Sequence, residues 1–368
     1  MSDRLFVSTR KGLFRYDRSS SGEWKVEAAT FLGDNVTLCL PLAEGKVLAA
    51  LDHGHFGVKV HRSTDEGASF TETTTPKYPE KPEGLVDLNA MTKEPLAWNL
   101  KLIWSLESGG PDQRGRIWVG TIPGGLFRSD DEGESWELVR SLWDDERRQG
   151  WFGGGADLPG IHSICVDPRS SSRVLLGVSC GGAWITDDDG ASWRLSAKGM
   201  KALFMPPDKQ DDENTQDPHR IVQCPGQPEV YWCQHHCGVW RSTDEGANWD
   251  QVEVPPSSFG FGVAVHPEDG DTAWFVPGVS DEHRIPVDGQ VVVARTRDGG
   301  KSFDVLREGL PQEHAYDLTY RHALDIDGSG DRLAFGSTTG GLWLTEDQGD
   351  HWQCLSANLP PIHAVRFA

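Results

Sequence analysis

No run of 18 apolar residues occurs in the 368-residue chain, so the sequence offers no membrane-spanning helix. The N-terminal Met1-Ser2-Asp3-Arg4-Leu5 lacks the apolar core of an export signal. Basic residues are outnumbered: 35 Lys and Arg stand against 56 Asp and Glu, a net charge of −21. A field of that sign disfavours nucleic acid and anionic membranes as partners. Cysteines are few, odd in number at seven, and scattered apart from Cys233 and Cys237. That argues against a disulfide framework and leads us to expect reduced thiols in a cytoplasmic protein. Trp151-Phe152-Gly153-Gly154-Gly155 is Gly-rich but lacks the Gly-Lys-Ser/Thr of a phosphate loop, so it reads as turn structure.

What the chain has is a repeat. A Ser or Thr, a few acidic residues, a Gly and then an aromatic three residues later recur six times. The copies are Ser63 to Phe70, Ser129 to Trp136, Thr186 to Trp193, Ser242 to Trp249, Thr296 to Phe303 and Thr345 to Trp352. A period of about 50 residues signals a repeat architecture. An Asp side chain can bond nearby backbone N–H groups, and Gly supplies a positive φ. The motif therefore reads as the turn of a β-hairpin.

The motif resembles the Asp box, or BNR repeat, of sialidases and related propellers, and the resemblance covers nearly the whole chain. Each unit reads as an inner strand, often ending in Asp-Pro or His-Pro, a second strand, a Gly-rich link, a third strand, the box and a fourth strand. Four antiparallel strands per unit describe a propeller blade. A degenerate seventh box is read at Ser21-Gly22-Glu23-Trp24. Its unit starts at Leu5 and lacks an inner strand. Pro361 to Ala368 resembles Gly160 to Val166, an inner strand, and is expected to complete the first blade and close the ring. The expected fold is thus all-β, a single seven-bladed β-propeller over residues 1–368.

Long connections fall at 71–98, 140–160, 198–218, 277–290 and 309–316. They are expected on the face opposite the box turns, and loops of this length are often functional. Histidines gather there. His162, His219 and His363 open inner strands. His53, His55, His235, His236 and His283 lie in links between second and third strands, and His314 precedes an inner strand. Imidazole is both a metal ligand and a general base. His162, His219, His235 and His363 are the candidate ligands for one zinc, iron or copper ion. The alternative is polar lining of the channel. An axial histidine cluster in a seven-bladed propeller resembles that of carotenoid-cleaving oxygenases.

The candidate catalytic groups are Glu313, His314, Tyr316, Glu282, Arg284 and Arg321. Asp34, Asp217, Asp281 and Asp317 also lie near this face, where a carboxylate pair could cleave a glycosidic bond. Arg10, Arg284 and Arg321 could clamp a substrate carboxylate. Sialidases carry Arg-Ile-Pro before the first box and have six blades. Here Arg284-Ile285-Pro286 follows four boxes, so no true sialidase activity is expected. The chain looks closer to cytoplasmic BNR-repeat proteins labelled sialidase-like or glycosyl-hydrolase-like. That resemblance implies an enzyme acting on a small polar molecule of a carbohydrate-like kind. The competing expectation is a non-catalytic binding or assembly scaffold.

Overall fold

The computed structural model describes residues 1–154 and 156–368. Gly155, the end of the Gly-rich run, lies outside them. Seven four-stranded antiparallel sheets form a seven-bladed β-propeller. The first blade orders Ile362–Phe367, Arg4–Thr9, Gly12–Arg18 and Trp24–Thr30 from the channel outward. Its innermost strand is the C-terminal one, as the sequence predicts. Leu5 pairs with Phe367 and Val7 with Val365. The innermost strands of the next six blades are Asn35–Pro41, Leu102–Ser108, Ile161–Val166, Pro218–Gln223, Gly260–Val265 and Leu324–Ile326.

Blades stack face to face, so middle strands are buried on both sides. Val174–Val178 and Gly182–Thr186 are buried throughout. The apolar core is divided among the blade interfaces. One cluster joins Leu48 and Val60 of the second blade to Val119 and Phe127 of the third. Another joins Leu5 and Val7 of the first to Ala334 and Leu344 of the seventh. The link between the third and fourth blades holds a short helix, Arg140–Trp143, which inserts Leu142 and Trp143 into the core.

The six boxes share one bonding scheme. In the fourth blade Thr186 Oγ1 accepts from the Gly190 N–H at 3.0 Å and donates to Asp188 Oδ1 at 2.7 Å. Asp188 accepts from the Ser192 N–H at 2.9 Å and from its hydroxyl at 2.6 Å. Gly190 has φ 83° and Asp189, before it, φ 57°. The box thus needs two successive left-handed residues, and the position before the Gly tolerates Glu, Asp and Gln at some cost. Each turn also rests on the first turn of its own blade: the Asp189 N–H donates to Ser172 O and the Glu245 N–H to Glu229 O, both at 2.9 Å. Asp65, Asp131, Asp188 and Asp298 are held down at about 2, first by the hydroxyl of the serine four residues on. The turn at 19–23 is simpler: Ser19 Oγ accepts from the Glu23 N–H at 3.0 Å, and Trp24 is buried.

Candidate functional site

The boxes occupy one face, and the long links crowd the other. Links of both kinds meet there. Phe204, between the fourth and fifth blades, packs 5.2 Å from His236, which lies between the second and third strands of the fifth. Asp281 reaches His236 from the corresponding link of the sixth blade. Among the described residues, every exposed large apolar side chain except Met1 and Val26 belongs to a link on this face, including Phe56, Val86, Met91, Phe204 and Tyr316.

A recurring irregularity positions the channel residues. In five blades the pairing of the innermost strand skips one residue near its start, at Thr37, Trp104, His162, His219 and His363. In the sixth blade the break falls at Phe261-Gly262. A bulge leaves one residue unpaired and re-aims its side chain. Bulge residues of neighbouring blades consequently touch. Trp104 meets His162 edge-on at 5.5 Å, and His219 stacks on Phe261 at 4.3 Å.

This tier separates the four candidate metal ligands. His162 is fully buried, with Nδ1 3.0 Å from Ser163 Oγ and Nε2 without a partner among the described residues. His235 ends a second strand rather than lying in the link. Its ring nitrogens face the backbone N–H groups of Asp217 at 2.9 Å and Cys237 at 3.0 Å. A neutral imidazole accepts at only one nitrogen, so His235 serves as a backbone anchor and has no lone pair to spare. Burial pushes it down to about 3. His363 bonds Asn35 Oδ1 at 2.8 Å across the first blade interface. Of the four, only His219 joins a convergent set, and its companions are Asp217 and His236. The four candidate histidines are therefore not brought together; His219 lies instead with Asp217 and His236.

Asp217 anchors that cluster. Its carboxylate is buried. Oδ1 accepts from the Cys180 N–H at 3.0 Å and from the Ser179 hydroxyl at 3.1 Å. Oδ2 faces His236 Nδ1 at 3.5 Å and His219 Nε2 at 3.8 Å. His219 Nδ1 lies 2.7 Å from the Gly260 carbonyl. Burial, with Arg321 nearby, pushes His219 well below the ordinary imidazole range, so it is neutral at pH 7. Asp281 Oδ2 stands 4.0 Å from His236 Nε2, and Arg284 binds the other oxygen, Oδ1. Phe259 and Phe261 close the wall beside His219.

Two candidate arginines belong here. Arg284 lies over the Phe261 ring at 5.4 Å. Arg321 is buried between Trp104 and Phe261, at 4.7 and 5.1 Å, and its Nε and Nη2 find no acceptor among the described residues. Burial pushes it down to about 10. The other four candidate catalytic residues stand apart. Glu282 is exposed and accepts from Ser280 Oγ at 3.0 Å within its own loop. Glu313, His314 and Tyr316 are exposed in the link after the sixth blade, where His314 has φ 53°. Among the described residues, no hydrogen bond or ion pair joins any of the four to the Asp217 cluster.

His322 escaped the sequence reading. Burial drives it well below its usual range, and it bonds Arg220 at 3.1 Å inside the channel. Its signal was present: Arg321-His322-Ala323-Leu324 repeats the order of Ile362-His363-Ala364-Val365. A larger cavity, about 550 Å³, opens at the box end of the channel. There Arg366 pairs with both Glu107 oxygens at 2.9 and 2.8 Å. Arg220, also on the cavity wall, bonds His322, and Asp325 accepts from the Phe367 N–H at 2.8 Å.

All seven cysteines are unpaired, five of them buried. No helix is long and apolar enough to cross a membrane among the described residues.

No protein-family profile matches the chain. It is similar to an oligoxyloglucan-reducing end-specific xyloglucanase of Emericella nidulans, at 24% identity over 354 residues, 89% of this chain and 39% of the relative. A probable enzyme of the same description from Neosartorya fischeri is 25% identical over 74% of this chain and 33% of its own length. The chain spans little more than a third of the length of these curated relatives. Among solved structures, a xyloglucanase of Xanthomonas campestris superposes with TM-score 0.63 at 18% identity, covering all of this chain and 52% of that one. YCF48 bound to D1 peptide superposes with TM-score 0.56 at 13% identity, covering 94% and 90%. The structural likenesses establish a fold shared by enzymes and a peptide-binding protein, and the sequence relatives named are xyloglucanases, not sialidases.

Proposed function

We propose that this chain is a glycoside-hydrolase-like enzyme that acts on a small, polar, carbohydrate-like substrate at the Asp217–His236–Asp281 mouth of the channel. The observation that carries the reading is a pair of carboxylates on opposite sides of one imidazole. Asp217 reaches His236 Nδ1 at 3.5 Å and Asp281 reaches Nε2 at 4.0 Å. The carboxylates are thus no more than about 10 Å apart, with the His236 ring between them, and two acids flanking one site is the arrangement glycosidases use. One is buried and one is half exposed, and different surroundings are how two carboxyl groups take different roles. Asp217, buried, orients His236 from below. Asp281, positioned by Arg284, exchanges protons at the solvent side. The faces of Phe204 and Phe259 suit the apolar face of a sugar ring, and Arg321 Nε and Nη2, without an acceptor among the described residues, suit an anionic or hydroxyl-rich group. The xyloglucanase likeness supports the reaction class.

The test is turnover of a panel of aryl glycosides, uronides and xyloglucan oligosaccharides. Asp281→Asn is expected to lower kcat/KM by about 10²-fold or more, as loss of a proton-transfer group does. No turnover across the panel, or full activity in Asp281→Asn, would count against the reading. A second reading, a binding module, is favoured by the apolar side chains that crowd the same face and by the likeness to peptide-bound YCF48.

A further inference from the structure

We infer that Asp217, His219 and His236 form a mononuclear site for a divalent transition-metal ion, zinc or ferrous iron, with an open position facing the channel mouth. It deepens the hydrolase reading, since the ion would hold the water there, but it stands on separate observations.

The first is the width of the gaps. Asp217 Oδ2 lies 3.5 Å from His236 Nδ1 and 3.8 Å from His219 Nε2. Neither distance is a good hydrogen bond. Both fit an ion about 2.1 Å from each ligand atom. All three atoms lie within 4.8 Å of one another, so a small side-chain rotation closes the set.

The second is the direction of the lone pairs. The Gly260 carbonyl can only accept, so His219 donates its Nδ1–H to it at 2.7 Å. That fixes the tautomer and turns the bare Nε2 lone pair toward a carboxylate oxygen. Two electron-rich atoms then face each other inside a buried wall. A cation between them resolves the conflict. An imidazole whose far N–H is held by a carbonyl is also the usual support of a metal-bound histidine.

The third is the outer shell. Asp217 Oδ1 is held by the Cys180 N–H and the Ser179 hydroxyl, which leaves only Oδ2 for an ion. On the far side of His236, Asp281 faces Nε2 and can accept its proton when Nδ1 ligates. Two imidazoles and one carboxylate are borderline donors that suit zinc or iron and leave coordination positions open. The half-exposed side of His236 places those positions toward solvent.

The experiment loads the full chain with Zn2+ alone, or with Co2+ as a spectroscopic probe, removes the excess by gel filtration, and measures metal per chain. About one equivalent is expected, with cobalt giving ligand-field bands of a low-coordinate N/O site. His219→Gln and Asp217→Asn should each weaken binding at least tenfold while circular dichroism shows a folded propeller. His363→Ala should retain the full equivalent. If either ligand variant fails to fold, His236→Gln, at the more exposed position, gives the same reading. Less than about a fifth of an equivalent, or undiminished binding by a folded His219→Gln or His236→Gln, would overturn the site. The hydrolase reading fails separately: metal-loaded protein that turns over no glycoside refutes the reaction while the stoichiometry stands.

Discussion

Replacing Thr186 by Val tests the box as a structural turn. The shapes match, so the substitution removes a hydroxyl and little else. Thr186 is 1% exposed. Its oxygen accepts from the buried Gly190 N–H at 3.0 Å and from the Asp188 N–H at 3.2 Å, and donates to Asp188. After substitution the Gly190 N–H stays buried without an acceptor, which costs about 1–3 kcal/mol. The Asp188 N–H lies nearer solvent and finds water. Losing the bond to Asp188 adds on the order of 0.5–1 kcal/mol. The expected destabilisation is roughly 1.5–4 kcal/mol, read as a lowered urea midpoint at unchanged m-value. The turn lies on the face opposite the channel mouth, so metal binding and turnover should survive while the fold does. Stability within about 0.5 kcal/mol of the parent, as for an ordinary surface change, would refute the bonding scheme. Lost turnover at unchanged stability would refute the placement of the boxes.

The box carboxylates also predict acid sensitivity. Asp65, Asp131, Asp188 and Asp298 are held at about 2, below an unfolded value of about 4. Their stabilisation is therefore complete above about pH 4 and lost as pH falls through about 2. Melting temperature should fall across that window, with a shallower decline in Asp188→Asn. Identical acid limbs would contradict this. Deleting residues 361–368 strips the innermost strand from the first blade and exposes the edge of Arg4–Thr9; a truncated chain that melts like the parent would disprove ring closure. Asp87 and Arg148 form a buried ion pair at 2.8 Å that ties the 71–98 link to the 140–160 link. Asp87→Ala should cost about 3–5 kcal/mol by leaving a buried guanidinium unpaired, measured by denaturant unfolding; a loss under about 1 kcal/mol would show the pair to be dispensable. Cys354 is the exposed thiol and should react quickly with a thiol reagent in the native state. Cys39 and Cys165, pushed up to about 12 by burial, should react only after denaturation.

Much of this molecule is local and therefore legible in its sequence. The box needs an Asp to bond the N–H four residues on and a Gly at φ 83–98° in most copies. Both demands lie within eight residues, so the repeat, the seven blades and the closing strand follow from inspection. Inner strands beginning with histidine could also be found, because Ile161-His162, Pro218-His219 and Ile362-His363 share a pattern. What their side chains do was not legible. A one-residue bulge in five of the inner strands decides which residue turns into the channel, and a bulge has no fixed composition. Whether two channel residues meet depends on blades separated by some 50 residues of sequence. That is how Asp217, named only as one acid among several, became the centre of the cluster, while His235 anchors backbone N–H groups beside it and His363 bonds Asn35. His314 and Tyr316 sat in a promising loop, but its tip points to solvent. Short-range hydrogen bonding set the architecture of this chain, and the packing of blade against blade set its chemistry.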